Sequence, residues 1–284
     1  MEEQRGTYPV GALCRSLGVS RSGYHAWCHR RPGARELENV VLREKTREIH
    51  KASKRTYGSP RVTKDLRELP DFEAVGENRV ARLMREDGIR ARHRRKYKKP
   101  ASVTNEQAIA PNLLNRNFSA PAPDRAWVGD ITQFTTAVGW IYLAVIMDLF
   151  SRFIVGWALA HHERDDLTLE ALRMALWQRR PKAGLIHHSD QGGQYGSWAY
   201  QNVLKRNGIV PSMNRRGNCY DNAAMESFFS SLKREWIIGK NYSSREEAKR
   251  DIFEYIEVFY NRQRRHSTLG YLSPMAFEER QKVH

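Results

Sequence analysis

A chain of 284 residues with 48 Lys and Arg against 32 Asp and Glu carries a formal charge of +16, and its length fits two domains with separate cores. So positive a balance calls for an acidic polymer or surface as partner, with double-stranded DNA or another nucleic acid first in line. Cys14, Cys28 and Cys219 are too few and too scattered for a disulfide framework and suit a reducing cytoplasm, and the best apolar run, Trp140–Met147, is far too short to span a membrane.

The chain opens MEEQRG, without the basic and then apolar start of a signal peptide, so a cytoplasmic, nucleoid-associated protein with no membrane partner is expected. Most of the basic excess falls before residue 125, which makes the front half the expected grip on nucleic acid. Val10, Leu13, Cys14 and Leu17 form the apolar face of a helix that stops at Gly18, and Ser20 caps a second helix through about Trp27. The pair reads either as a helix-turn-helix or as an ordinary helical hairpin. His25 and His29 lie near Cys14 and Cys28, but without a Cys-x-x-Cys pair packing is expected there rather than zinc. Residues 1–33 are therefore taken as a helix-turn-helix-like segment.

After Pro32-Gly33, helices are expected over Arg35–Lys54, over Ser59–Leu69 with Ser59-Pro60 as cap and first-turn proline, and over Glu77–Asp87 with Val80, Leu83 and Met84 inward. Directly behind runs RARHRRKYKK, where Arg90, Arg92, Arg94, Arg95, Lys96, Lys98 and Lys99 have no apolar face to bury and are expected to lie along DNA phosphates. Residues 34–99 thus read as a helical DNA-binding module with a basic run, and 100–124, rich in Pro, Ala and Asn, as a linker.

From Ala126 the period shortens to that of strands. AWVGDITQF, WIYLAVIMDLF and RFIVGWALA are three neighbouring strand candidates, followed by a helix at Leu167–Trp177, a strand at Leu185–His188, a helix at Trp198–Asn207 and a strand at Ile209–Ser212. Helices at Ala223–Ile237 and Ser244–Tyr260 close the pattern. That order is the order of a ribonuclease H-like α/β domain, a mixed five-stranded sheet with flanking helices, placed at 125–240. Residues 241–284 then supply a C-terminal helix and a basic tail.

Phosphodiester transfer needs a nucleophilic oxygen, an in-line leaving oxygen and neutralised phosphate charge, which two hard cations roughly 3.5 to 4 Å apart supply together. Asp130 sits within the first strand on one face with Val128 and Thr132, where a charge is costly without a partner. Asp190 directly follows the fourth strand in HHSDQGGQYG, and the first and fourth strands of such a sheet can be neighbours. Glu226 starts a later helix, with enough chain between it and Asp190 to return to the same sheet end. Lys233, close to two turns further, shares its face and is placed to hold a phosphate.

Other residues have plainer readings. Asp148 shapes a turn or pairs with Arg152, and Asp221 and Asn222 cap the Glu226 helix. One of His187 and His188 points into the core, and Trp127, Trp140 and Trp157 are expected to be core residues. Arg264 and Arg265, beside Arg262 and His266 in a turn-like stretch, are either a solvated tail or DNA contacts.

The stretches WVGDIT, IMDLFSRFIVGW, HHSDQGGQYGS, NCYDNAAMESFFSSLKRE and YNRQRRHSTLGYLSP together resemble the catalytic, second-reading-frame (OrfB-type) product of insertion-sequence transposases of the IS-three family, whose core resembles retroviral integrase. TYGSPRVTKDL resembles the family's middle helical module. The resemblance implies a DDE-type active site with Asp130, Asp190 and Glu226 as catalytic metal ligands, Lys233 on DNA near the transposon end, and two Mg2+ ions with Mn2+ as substitute. It implies nicking at the terminal inverted repeats to expose a 3′ hydroxyl, joining of that hydroxyl to another phosphodiester through a branched intermediate and a circle, and later integration into target DNA. It also implies a homo-oligomer on DNA and an upstream reading-frame product as partner or fusion, since this chain has no heptad run. It tips Arg264 and Arg265 toward a DNA contact or a docking surface. A non-catalytic DNA-binding regulator, or a ribonuclease H-like nuclease that cuts without joining, remain alternatives.

Overall fold

A computed structural model describes residues 4, 6–92, 110–214 and 222–282. Arg94, Arg95, Lys96, Lys98 and Lys99 of the basic run, with Cys219 and Asp221, lie outside the described residues. Two compact units are present, one of residues 1–54 and 58–90 and one of residues 55–57 and 91–284.

In the first unit, α1 (Val10–Ser16) and α2 (Arg21–Cys28) are joined by a turn at Gly18, whose φ of +66° suits glycine, and the Ser20 side chain accepts the Gly23 N–H as a cap. α3 (Ala34–Ala52), α4 (Ser59–Leu66) and α5 (Glu77–Glu86) pack through Leu42, Val62, Leu66, Val80 and Leu83. Gly58 rather than Ser59 takes the cap position of α4, so its proline falls at the helix's second residue. No described helix is long and apolar enough to cross a membrane.

The second unit is built on β1 (Ala126–Thr136), β2 (Gly139–Asp148), β3 (Ile154–Ala160), β4 (Ile186–Ser189) and β5 (Val210–Met213), in the order β3-β2-β1-β4-β5. β1, β2 and β3 are antiparallel, while β4 and β5 join parallel to β1. This is the ribonuclease H-like sheet. Trp127, Ala144, Ile146 and Val155 face one side, under α6 (Asp165–Arg179) and α8 (Trp198–Arg206). α6 sits so close to β3 that a methyl on Gly156 would lie 2.2 Å from the Ala171 carbonyl. The other face is covered by α9 (Ala223–Leu232), which packs on β1.

α9 runs into a π-type turn, Lys233–Ile237, and α10 (Arg245–Phe253) into another, Glu254–Tyr260. Patterning alone reads each of these as one continuous helix. A short α7 (Gly193–Gly196) lies in the loop after β4, and the segment read as a basic tail contains a further helix, α11 (Pro274–Lys282). Trp127 and Trp157 are core residues, but Trp140 near the start of β2 is 46% exposed.

Asp148 shapes the turn after β2, one of its two expected roles, and the cation it faces is Arg179 rather than Arg152. Its carboxylate accepts the Asp124 and Phe150 N–H groups at 2.8 and 2.9 Å and faces Arg179 at 3.7 Å, whereas Arg152 meets only its backbone carbonyl. Arg179 also pairs with Glu278 of α11, which binds the Ser151 hydroxyl. Burial pushes the Asp148 carboxyl up to about 7, opposed by those backbone bonds. Between about pH 4 and 7 the folded chain therefore binds the proton more tightly than the unfolded one, and the stability this contributes is lost as pH rises through that window. Urea midpoints are expected to fall over this range by more in the parent than in Asp148→Asn; equal slopes would show that Asp148 is ionised throughout.

Candidate active site

Parallel pairing of β1 with β4 sets Val128 level with His188. Asp130 and Asp190, each two residues further along, therefore leave neighbouring strands at one height. Because Trp127 faces α6 and α8, alternation turns Val128, Asp130 and Thr132 to the α9 side. Asp130 is only 6% exposed, and its Oδ1 accepts the Ile131 N–H at 2.8 Å. The Asp190 Oδ1 accepts the Gly192 N–H at 2.9 Å, which folds the following loop back over the carboxylate.

Behind the two acids lies an aromatic wall. The Tyr195 ring meets Tyr200 edge to face at 5.3 Å, and the Tyr200 hydroxyl shares a 2.7 Å hydrogen bond with His187 Nε2. The wall packs closely on Gly129: a methyl there would lie 3.0 Å from His187 Cε1 and 3.4 Å from Tyr195 Cε1, so the rings would have to give by a few tenths of an ångström. Burial raises the Tyr195 hydroxyl well above the usual phenol range, and Tyr200, Asp190, Asp130 and Glu163 push the same way. Burial also drives His187 down to about 3, which keeps the ring neutral.

Both histidines of HHSD are buried, on opposite faces, rather than one of them. His188 bridges the Ser212 hydroxyl at 2.8 Å and Asn214 Oδ1 at 2.6 Å, and Gln191 donates to the Asn214 carbonyl at 2.7 Å. The loop carrying Asp190 is thus anchored to the end of β5. Sequence reasoning missed Tyr195, Gln191 and Glu163, whose carboxyl is raised by loss of water contact and then by the charge of Asp190. Their place in HHSDQGGQYG, Gln191 next to Asp190 and Tyr195 five residues after it, was the available signal for the first two; nothing in the sequence singled out Glu163.

Glu226 lies in the first turn of α9 and Lys233 opens the π-type turn that follows. Among the described residues no three His, Cys, Asp or Glu side chains are gathered closely enough to hold a metal ion, so Glu226 does not complete such a group with the two aspartates in this arrangement. Asn222 occupies the cap position of α9, but its side chain makes no capping bond.

The DNA-contact reading of Arg264 is overturned. It is 3% exposed, and its guanidinium forms a two-pronged pair with Glu235 at 2.6 and 2.7 Å while lying over the Tyr260 ring. Burial works against its charge, yet Glu235 raises its proton affinity above the ordinary value. A side chain so enclosed cannot reach a phosphate. Arg265, partly exposed, donates to the Tyr271 carbonyl at 2.9 Å. Arg90 and Arg92 are exposed.

Residues 120–219 and 226–281 match two integrase core domain families, and residues 36–97 match an HTH-like domain family. The chain is 43% identical over 268 residues to an uncharacterized 31 kDa protein of insertion element IS600 from Shigella sonnei, covering 94% of this chain and 98% of that one. It is 41% identical over 287 residues to transposase InsF for insertion sequence IS3A from Escherichia coli K12, covering 99% and 97%. Among solved structures, it is similar to a chain of the simian T-cell lymphotropic virus intasome in complex with PP2A regulatory subunit B56 gamma (TM-score 0.46, 14% identity, 82% of this chain and 74% of that one). It is also similar to the HTLV-2 integrase catalytic core domain in complex with magnesium (TM-score 0.42, 16% identity, 56% and 98%).

Proposed function

Because the chain belongs to the family of IS3 insertion-sequence transposases, we propose that it is a DNA transposase whose ribonuclease H-like core is a metal-dependent, DDE-type polynucleotidyl transferase. It nicks the transposon end to expose a 3′ hydroxyl and joins that hydroxyl to a second phosphodiester. The observation that carries this reading is the pair Asp130 and Asp190, one buried within β1 and the other directly after β4, the strand that pairs with β1.

Hard carboxylate oxygens are the donors that Mg2+ prefers, with Mn2+ as a substitute. The buried Asp130 also fits, since a carboxylate in a strand interior is costly unless a cation compensates it. Asp130 and Asp190 would hold the ions, with Glu226 as third donor from the helix that packs on β1. When bound, two such ions neutralise the phosphate and the entering and leaving oxygens of an in-line displacement.

The chain's own part is positioning. Gly129, His187 and Tyr195 set the depth of Asp130; His188, Gln191 and Asn214 hold the Asp190 loop. Lys233, on the Glu226 face, holds a substrate phosphate, and Arg90, Arg92 and the basic residues after them, with Arg265, contribute sequence-blind affinity. Joining one end to another requires both ends in one complex, so the chain is proposed to act as a homo-oligomer on DNA.

A labelled duplex bearing the element's terminal repeat, incubated with the chain and Mg2+, is expected to give a nicked strand and then a joined product longer than the input. Chelator should remove both and Mn2+ restore them. Nicks without joined product at any enzyme concentration would leave a nuclease, and binding without nicks a regulator.

A further inference from the structure

Ahead of the segment that matches the HTH-like family at 36–97 stands a second helix-turn-helix, residues 9–29, with its own small core. Cys14 of α1 and Tyr24 of α2 are buried, and the Val19 N–H returns to the Cys14 carbonyl at 3.0 Å to close the turn. On α2 the helical period puts Arg21, Ser22, His25 and Ala26 on one arc, away from Tyr24 and Trp27, and all four are exposed. Their mixture of a guanidinium, a hydroxyl, an imidazole and a methyl is suited to base edges rather than to phosphates alone.

Charge distribution selects the partner. From Gly6 to Arg35 there is no Asp or Glu, against Arg15, Arg21, Arg30, Arg31 and Arg35. A methyl on Gly11 would lie 3.8 Å from Arg21 Cδ and 4.0 Å from Arg15 Nη1, so both arginines pass over the same stretch of α1 despite their like charge. Among the described residues no ion pair engages Arg15, Arg21, Arg30 or Arg31. On α5, by contrast, Arg79 pairs with Glu38 and Arg82 with Glu86. Among the described residues, then, acidic partners pair with arginines of α3 and α5 and with none of the four arginines of this first segment.

We propose that residues 9–29 are a second DNA-reading module, in which α2 enters the major groove of a duplex and presents Arg21, Ser22 and His25 to base edges, while Arg30 and Arg31 lie on phosphates. The inference rests on the transposase reading only in taking duplex DNA as the substrate. Its test is therefore run in chelator, where catalysis plays no part.

The full chain is titrated with a duplex bearing the element's terminal repeat and with a scrambled duplex of the same composition. The parent is expected to prefer the terminal repeat. Arg21→Ala with His25→Ala should cut that preference by about tenfold or more while changing affinity for the scrambled duplex little. Arg21→Lys, which keeps the charge and loses the paired donors, should also lose preference. Arg30→Ala with Arg31→Ala should weaken both duplexes alike and lower the salt slope by about two. These substitutions are at exposed positions, and circular dichroism checks that the helices persist. No preference in the parent, an undiminished preference in the α2 variants, an equal loss on both duplexes, or a change only in oligomeric state by sedimentation would each overturn the proposal.

Discussion

Asp190→Asn and, separately, Asp130→Asn are expected to lower single-turnover nicking and joining in Mg2+ by about three orders of magnitude or more, because cation stabilisation of the transferring phosphate is worth several kcal/mol and each 1.36 kcal/mol is tenfold. Stability should not follow activity. Asp130 is buried in a strand interior, so an uncharged Asn of the same shape removes a desolvation cost, and thermal unfolding of Asp130→Asn is expected at or above the parent temperature. Affinity for the terminal duplex in chelator should stay near the parent's. Nicking by Asp190→Asn within tenfold of the parent would remove the aspartate pair from the chemistry. Glu226→Gln, given the same assay, tests the third donor by itself, and full joining activity in Mg2+ would eliminate it.

The second large effect is on the fold. Arg264→Ala should destabilise the chain by about 3 to 5 kcal/mol, since it leaves Glu235 without the guanidinium that compensates its charge in a largely buried setting. For a unit of this size that corresponds to a melting temperature lower by roughly 10 °C. Glu235→Ala should cost a comparable amount, and the double variant less than the two together, because the two share one interaction. At temperatures where the variant is folded, its affinity for DNA is expected to be unchanged. An Arg264→Ala chain that melts with the parent but loses DNA affinity would restore the contact reading and refute the burial argument.

Arginine 264 shows where sequence reasoning runs out. YNRQRRHSTLGYLSP is dense in cations, and a cation cluster looks alike in sequence whether it faces DNA or an internal acid. Its partner, Glu235, sits in the π-type turn after α9, a local geometry that hydrophobic periodicity does not distinguish from α-helix. Asp148 makes the same point: its neighbour Arg152 was the natural partner by proximity along the chain, but Arg179 at the end of α6 is the cation that reaches it. Trp140 reads as core from the apolar run it begins and is half-exposed because it lies at the hairpin end of the sheet.

Local physics was enough for much else. Alternation, turn glycines and helix caps read from the residues alone located the five strands and most helices, since each depends on neighbours a few positions away. The order of elements, with the carboxylate of WVGDIT within the first strand and that of HHSD directly after the fourth, sufficed to expect a ribonuclease H-like sheet in which those two strands can be adjacent. What only the tertiary structure decided were contacts between distant segments: the register of β1 against β4, which carries Asp130 and Asp190, the wall of His187, Tyr195 and Tyr200 packed close to Gly129, and the burial of Arg264. Those depend on how whole elements pack, and packing is settled by shape and desolvation across the fold rather than by any spacing along the chain.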